Sequence, residues 1–207
     1  MIFAVSVMIP DFDKTKEQDQ VVLWAKRLAY EGFVVVDTET IGFIPPDICQ
    51  IGIVYVRRGI ETIDILMDQL IKPSSQEWEQ KAIEIHEITP DKVKDAPTLL
   101  EAWIDVLKCT SLSENLICYN RQFDGQAIRY SLGQHGIKAD CIANNVWPTG
   151  ASMKCAMLAY SQYVGEKRKP TDKNCKWQKL PDYGYGAHTA VGDAQSTARL
   201  ILELAKK

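Results

Sequence analysis

The chain predicts an α/β layered fold with a mixed central sheet, and three observations carry that expectation. Short apolar, β-branched runs at 33–36, 47–57 and 115–119 alternate with segments of helical periodicity. The Phe33-Val34-Val35-Val36 run is apolar at every position, as in a strand covered on both faces. Segments 47–57 and 60–67 meet at Arg58-Gly59, a hairpin signal that adds antiparallel pairing to the same sheet.

The elements follow in order. Val21, Trp24, Ala25 and Leu28 recur at helical spacing over 19–30, and Gly32 stops that helix before the Phe33 strand. After the hairpin, a helix around 82–86 gives way to Thr89-Pro90, a cap followed by an N1 proline. Thr98 and Glu101 form a capping box at the start of a helix over 99–107. A buried strand over 115–119 leads to a helix over 124–134 that ends near Gly136. Residues 152–163 read as another helix, with Met153, Cys155, Met157 and Leu158 packing into the core at helical spacing.

With 207 residues, 46% hydrophobic and 25% charged, the expectation is one domain over 1–207. Residues 1–17 form its N-terminal arm and 165–179 a basic loop within it. The apolar start of the arm lacks a basic n-region and is too short to span a bilayer, so no membrane partner is expected. Six cysteines with no C-x-x-C pair read as reduced thiols, which places the protein in the cytoplasm. A net charge of −3 argues against a broad basic nucleic-acid face. The loop is the local exception: Lys167, Arg168, Lys169, Lys173, Lys176 and Lys179 surround Trp177. Its bland reading is a solvated surface; its functional reading is a strip of phosphate-backbone contacts at Lys167, Arg168 and Lys169. Trp177 is expected to anchor the loop in the core.

The chemistry lies in the carboxylates. In a strand, residues i and i+2 share a face, so Asp37 and Glu39 present two anions together. Asp124 and Asp193 occupy comparable positions, where a strand ends or a helix begins. Solvated strand-end acids would be the default for a lone Asp-x-Glu, but four such residues make a hard-oxygen ligand set for two Mg²⁺ or Mn²⁺ ions, without the His/Cys spacing of zinc. Paired metals of this kind serve phosphodiester hydrolysis. His188, five residues before Asp193, is the candidate general base. His86 edges the nucleotide pocket, and His135 belongs to the surface.

The segments Val36-Asp37-Thr38-Glu39-Thr40, Tyr119-Asn120-x-x-Phe123-Asp124 and His188-x-x-x-x-Asp193 resemble, in order and spacing, the three motifs of the DEDDh 3′→5′ exonucleases of the DnaQ-like group. The resemblance runs from about Phe33 to the C-terminus. It implies a ribonuclease H-like three-layer fold, two metals held by Asp37, Glu39, Asp124 and Asp193, His188 as general base, and release of nucleoside 5′-monophosphates. It also implies a substrate-binding set of Thr38, Thr40, Ile41, Ile85, His86, Asn120 and Phe123. Within that set, Asn120 supports the motif by hydrogen bonding and Phe123 packs beneath the site. Two departures stand out: Ile41 replaces a frequent threonine, and Glu87 replaces a frequent glycine.

The expected partners are nucleic-acid 3′ ends, with single-stranded DNA favoured, and a polymerase or a second copy of the chain as further candidates. An exoribonuclease or oligoribonuclease would use the same site. A non-catalytic nucleic-acid or polymerase-binding module is the reading from another class. Retention of four clustered acids and the histidine counts against that module, because the cluster destabilises a metal-free fold by repulsion.

Overall fold

The sheet is built outward from β1 (Phe33–Thr40), whose Phe33, Val34, Val35 and Val36 have no solvent-accessible surface. The computed structural model describes residues 18–169, 172, 174–186 and 188–207, so the expected arm over 1–17 and Lys173 of the basic loop lie outside the described residues. On one side β1 pairs antiparallel with β2 (Ile48–Val56), which pairs antiparallel with β3 (Ile63–Leu70). On the other side it runs parallel to β4 (Asn115–Cys118), which runs parallel to β5 (Ser152–Cys155). The order β3-β2-β1-β4-β5 is the mixed sheet that the sequence predicts.

The helices are α1 (Gln18–Glu31), α2 (Gln80–His86), α3 (Pro90–Val93), α4 (Leu99–Thr110), α5 (Arg121–Gly133), α6 (Asp140–Ala143), α7 (Ala156–Val164) and α8 (Ala190–Ala205). They cover both faces of the sheet. Val34 and Val36 share one core with Leu99, Ala102 and Val106 of α4 and Ala127, Ile128 and Leu132 of α5. Phe33 and Val35 share the other with Val21, Trp24 and Leu28 of α1, Ala159 of α7 and Ala194, Ala198 and Ile201 of α8. Strand alternation thus divides the apolar run of β1 between two helix layers.

Local signals end the elements as expected. Gly32 has φ +83°, and its N–H donates to Leu28 O at 2.8 Å, closing α1 directly before β1. Thr98 and Glu101 form the reciprocal capping box of α4. Thr89 and Pro90 occupy the N-cap and N1 positions of α3. α5 begins at Arg121, three residues earlier than expected, which puts Asp124 in its first turn.

One expectation is overturned. Residues 152–155 are not the start of a helix but form β5, and α7 begins only at Ala156. No proline or glycine separates the strand from the helix, so a single helical period fits both in the sequence. Strand alternation explains the side chains: Met153 enters the α5-side core, while Lys154 turns to the opposite face and is 7% exposed. Its Nζ donates to Asn115 Oδ1 at 3.0 Å, and burial lowers its pKa to about 8. All six cysteines are free thiols, and no described helix is long and apolar enough to cross a membrane.

Candidate active site

The alternation that divides the valines also sorts the residues after them. Asp37 and Glu39 follow the parity of Phe33 and Val35 and face the α8 layer; Thr38 follows Val36 and faces α5. Carboxylate oxygens of Asp37, Glu39 and Asp193 lie within 4.8 Å of one another. Asp124 comes from the other face, where its Oδ1 accepts from Thr38 N–H at 3.1 Å and from Thr38 Oγ1 at 3.0 Å. Three of the four predicted acids therefore meet as potential ligands, and the fourth is fastened to the strand residue between two of them. Asp124 and Asp193 each lie in the first turn of a helix, where the macrodipole favours an anion.

Two residues absent from the sequence reading bring Asp193 to β1. Gly52 stands opposite Asp37 in the β1/β2 register. A Cβ there would lie 2.3 Å from Ala190 C and 2.3 Å from Val191 N, so the start of α8 rests directly on the β2 backbone. A glycine within a strand run is the sequence signal for such a close approach. Gln50, opposite Glu39, accepts from Ala190 N–H through Oε1 at 3.1 Å and donates to Asp68 Oδ1 at 2.8 Å. Thr189 caps α8 by accepting from Gly192 N–H at 3.1 Å. Just before it, exposed His188 adopts φ +63° and donates its backbone N–H to Asp193 Oδ1 at 3.4 Å. The left-handed turn thus sets the His188 backbone against Asp193 of the acid trio.

The electrostatics are those of crowded acids, of which Asp124 is buried and Asp37, Glu39 and Asp193 are half-buried. Burial, then the charges of Asp124, Glu39 and Asp193, raises the Asp37 pKa well above the carboxylate range. Burial and the charges of Asp193 and Asp124 push Glu39 up to about 8. Asp124 rises to about 7 through burial, opposed by the Thr38 hydrogen bonds. Asp193 is raised by burial and partly relieved by the His188 N–H. Each charge is costly alone, and a divalent cation bound to these hard oxygens compensates several of them at once. The donor set fits Mg²⁺ or Mn²⁺.

The predicted substrate wall is only partly open. Ile85 is 39% exposed, whereas Ile41 is 1% exposed and packs with Cys49, Ile88 and Val93, so its side chain faces the core. His86 is a buried clasp: Nε2 donates to Thr40 O at 3.1 Å and Nδ1 accepts from Ile88 N–H at 3.0 Å, which fixes its tautomer. Burial lowers its pKa. Thr40 is also buried, with Oγ1 donating to Gly42 O at 2.8 Å. Glu87 caps α2 at φ +58°, a conformation that suits glycine. Asn120 is the N-cap residue of α5, half-buried and without a side-chain cap bond. Phe123 is half-buried, its ring 6.2 Å from that of exposed Phe43.

Trp177 is likewise a correction. It is 57% exposed rather than a core anchor, because other contacts hold the loop. Tyr119 Oη donates to Gln178 O at 2.8 Å, Gln178 N–H donates to Ser161 Oγ at 3.0 Å, and Leu180 and Tyr183 supply the apolar packing. Lys167, Arg168 and Lys169 are exposed; Lys167 Nζ donates to Asp172 O at 2.9 Å and Lys169 N–H to Asp172 Oδ2 at 2.9 Å.

A mixed, helix-covered sheet with clustered acids at the end of its central strand defines a ribonuclease H-like nuclease fold. The sequence profile of the RNase_T exonuclease family matches residues 34–201, and the chain belongs to that family. No curated protein matches the chain. Among solved structures, Exonuclease X in complex with 5′ overhanging duplex DNA is 22% identical with a TM-score of 0.56, over 84% of this chain and 91% of that one. The nuclease domain of 3′hExo, a DEDDh family member bound to rAMP, is 17% identical with a TM-score of 0.62, over 86% and 92%. E. coli Exonuclease I in complex with a dA16 oligonucleotide is 16% identical with a TM-score of 0.61, over 85% of this chain and 42% of that one.

Proposed function

We propose that this exonuclease works in the 3′→5′ direction, hydrolysing phosphodiester bonds at nucleic-acid 3′ ends and releasing nucleoside 5′-monophosphates, with single-stranded DNA favoured. The observation that carries the reading is the Asp37, Glu39 and Asp193 trio, within 4.8 Å and costly to charge, with Asp124 fastened beside it through Thr38. Asp37, Glu39, Asp124 and Asp193 would hold two Mg²⁺ or Mn²⁺ ions. Those ions would supply an activated water and charge compensation at the phosphate. His188, on the solvent side of Asp193, takes the proton of the attacking water. The Thr38 bonds keep Asp124 oriented, Ile85 packs against the terminal nucleotide, and the His86 clasp holds α2 against the end of β1. An exoribonuclease with the same site is the second reading, supported by the likeness to the nuclease domain of 3′hExo, which was solved bound to rAMP. The free thiols of all six cysteines are consistent with a reducing cytoplasm.

The test is digestion of 3′- and 5′-labelled single-stranded DNA and RNA with Mg²⁺, Mn²⁺ or EDTA, by wild type and His188→Ala. Stepwise, metal-dependent loss from the 3′ end that needs His188 supports the reading and ranks the two polymers. Absence of cleavage under every metal overturns it in favour of a binding module.

A further inference from the structure

A second feature lies beside the acid cluster on the outer face of α5: a groove of about 520 Å³, within the range of small-ligand sites. Arg121, Gln122, Gln126 and Arg129 recur along one stripe of that helix and form its wall; Asn145 and Trp177 face them. Among the described lining residues there is no carboxylate, although the whole chain carries a net charge of −3. The groove reaches Asn120, the N-cap residue whose carbonyl accepts from Asp124 N–H at 3.2 Å, so one end adjoins the helix turn that carries Asp124. From Arg121 to Arg129 the stripe runs about 12 Å, the length of a few nucleotides.

We infer that this groove takes the single strand upstream of the terminal nucleotide, with Trp177 stacking on a base and Arg129 contacting a phosphate. The inference rests on the exonuclease reading above. Its chemistry is that of single-strand recognition: an exposed aromatic face accepts any base, arginine pairs with phosphate, and side-chain amides reach base edges. It also accounts for an indole that the loop leaves 57% exposed while Leu180 and Tyr183 pack against the core. An apolar peptide would leave Arg129 and the side-chain amides of the stripe unmatched, and a lone mononucleotide would not use the length of the stripe.

The experiment compares the full-length protein with Trp177→Ala, Trp177→Phe and Arg129→Gln on a single-stranded dinucleotide and an octanucleotide. Octamer binding is read separately in EDTA by anisotropy of a 5′ label. In Trp177→Ala, octamer affinity and the kcat/KM preference for octamer over dinucleotide should both fall about tenfold. Trp177→Phe, which keeps a stacking ring, should recover most of that loss. Arg129→Gln should make the salt dependence of octamer binding shallower by about one neutralised phosphate. If Trp177→Ala melts early, the other two variants decide the matter. Preference and affinity within twofold of wild type in folded variants overturn the groove assignment while leaving the exonuclease reading intact. If wild type cleaves nothing, the exonuclease reading falls; octamer binding abolished in Trp177→Ala then still supports the groove, and unchanged or absent binding overturns it.

Discussion

Glu39 shows how one side chain connects fold stability to metal. Its pKa is raised to about 8 by burial and by the charges of Asp193 and Asp124, so the folded state keeps a proton that the unfolded chain releases near pH 4. The stabilising contribution is therefore complete below the unfolded value and is lost as pH rises through about 8; Asp37, raised for similar reasons, acts in the same direction. Metal-free protein should melt on the order of 5 °C or more lower at pH 8.5 than at pH 5. The curve should be flatter for Glu39→Gln, and saturating Mn²⁺ should raise the melting temperature more at pH 8.5 than at pH 5. Differential scanning fluorimetry across pH with and without metal checks this, and a wild-type profile without slope would contradict the crowding of these acids. Asp37→Asn and Asp193→Asn should each lower turnover at least about a hundredfold while leaving the metal-free melting temperature at pH 8 equal or higher, because each removes an anion from the cluster. Unfolding of both variants would overturn the metal-site assignment.

At the scale of elements, the site depends on how α8 and α5 meet β1. Gly52→Ala would push a methyl into the Ala190 and Val191 backbone, where 2.3 Å is available, and so lift the start of α8 away from β2. It should destabilise the protein by about 1–3 kcal/mol. It should also weaken Mn²⁺ binding, read by calorimetry, because Asp193 moves with its helix. Glu87→Gly acts in the opposite direction: at φ +58° glycine removes the strain of the α2 cap, and chemical denaturation should show an unchanged or higher stability, by up to about 1 kcal/mol. Much of this layer was legible in the sequence, since α1, β1, the β2/β3 hairpin and the α4 capping box each carry a local signal of period, turn or cap. β5 was not, because Ser152-Met153-Lys154-Cys155 passes into α7 without a breaker and strand parity over four residues is too short to detect. The carboxylates of the site were legible because an anion at the end of an apolar strand is a local anomaly. Gly52 and Gln50 were missed because their roles exist only once β2 lies under α8.

Over the whole molecule, charge and shape separate the place of reaction from the place of capture. The chain carries a net charge of −3, and its most crowded acids occupy the candidate reaction site, so a polyanionic strand arriving from solution meets net repulsion until it is held locally. Cations near the candidate strand path are concentrated in the α5 stripe and in Lys167, Arg168 and Lys169, which share a loop with Trp177. Asp172 accepts from Lys169 N–H through its carboxylate and from Lys167 Nζ through its carbonyl, which ties the Lys167 ammonium and the Lys169 backbone to one residue. Replacing all three residues by alanine should weaken binding of a long strand and make log Kd against log salt shallower by about 0.7 for each phosphate left without its cation. A dinucleotide, which has a single bridging phosphate to offer, should be turned over with far smaller change. Anisotropy titrations of a 20-mer between 50 and 300 mM salt, with dinucleotide kinetics alongside, measure both effects. An unchanged salt slope would make the loop an ordinary solvated surface and leave strand capture to α5, whereas equal losses on both substrates would mean that the loop shapes the acid cluster itself.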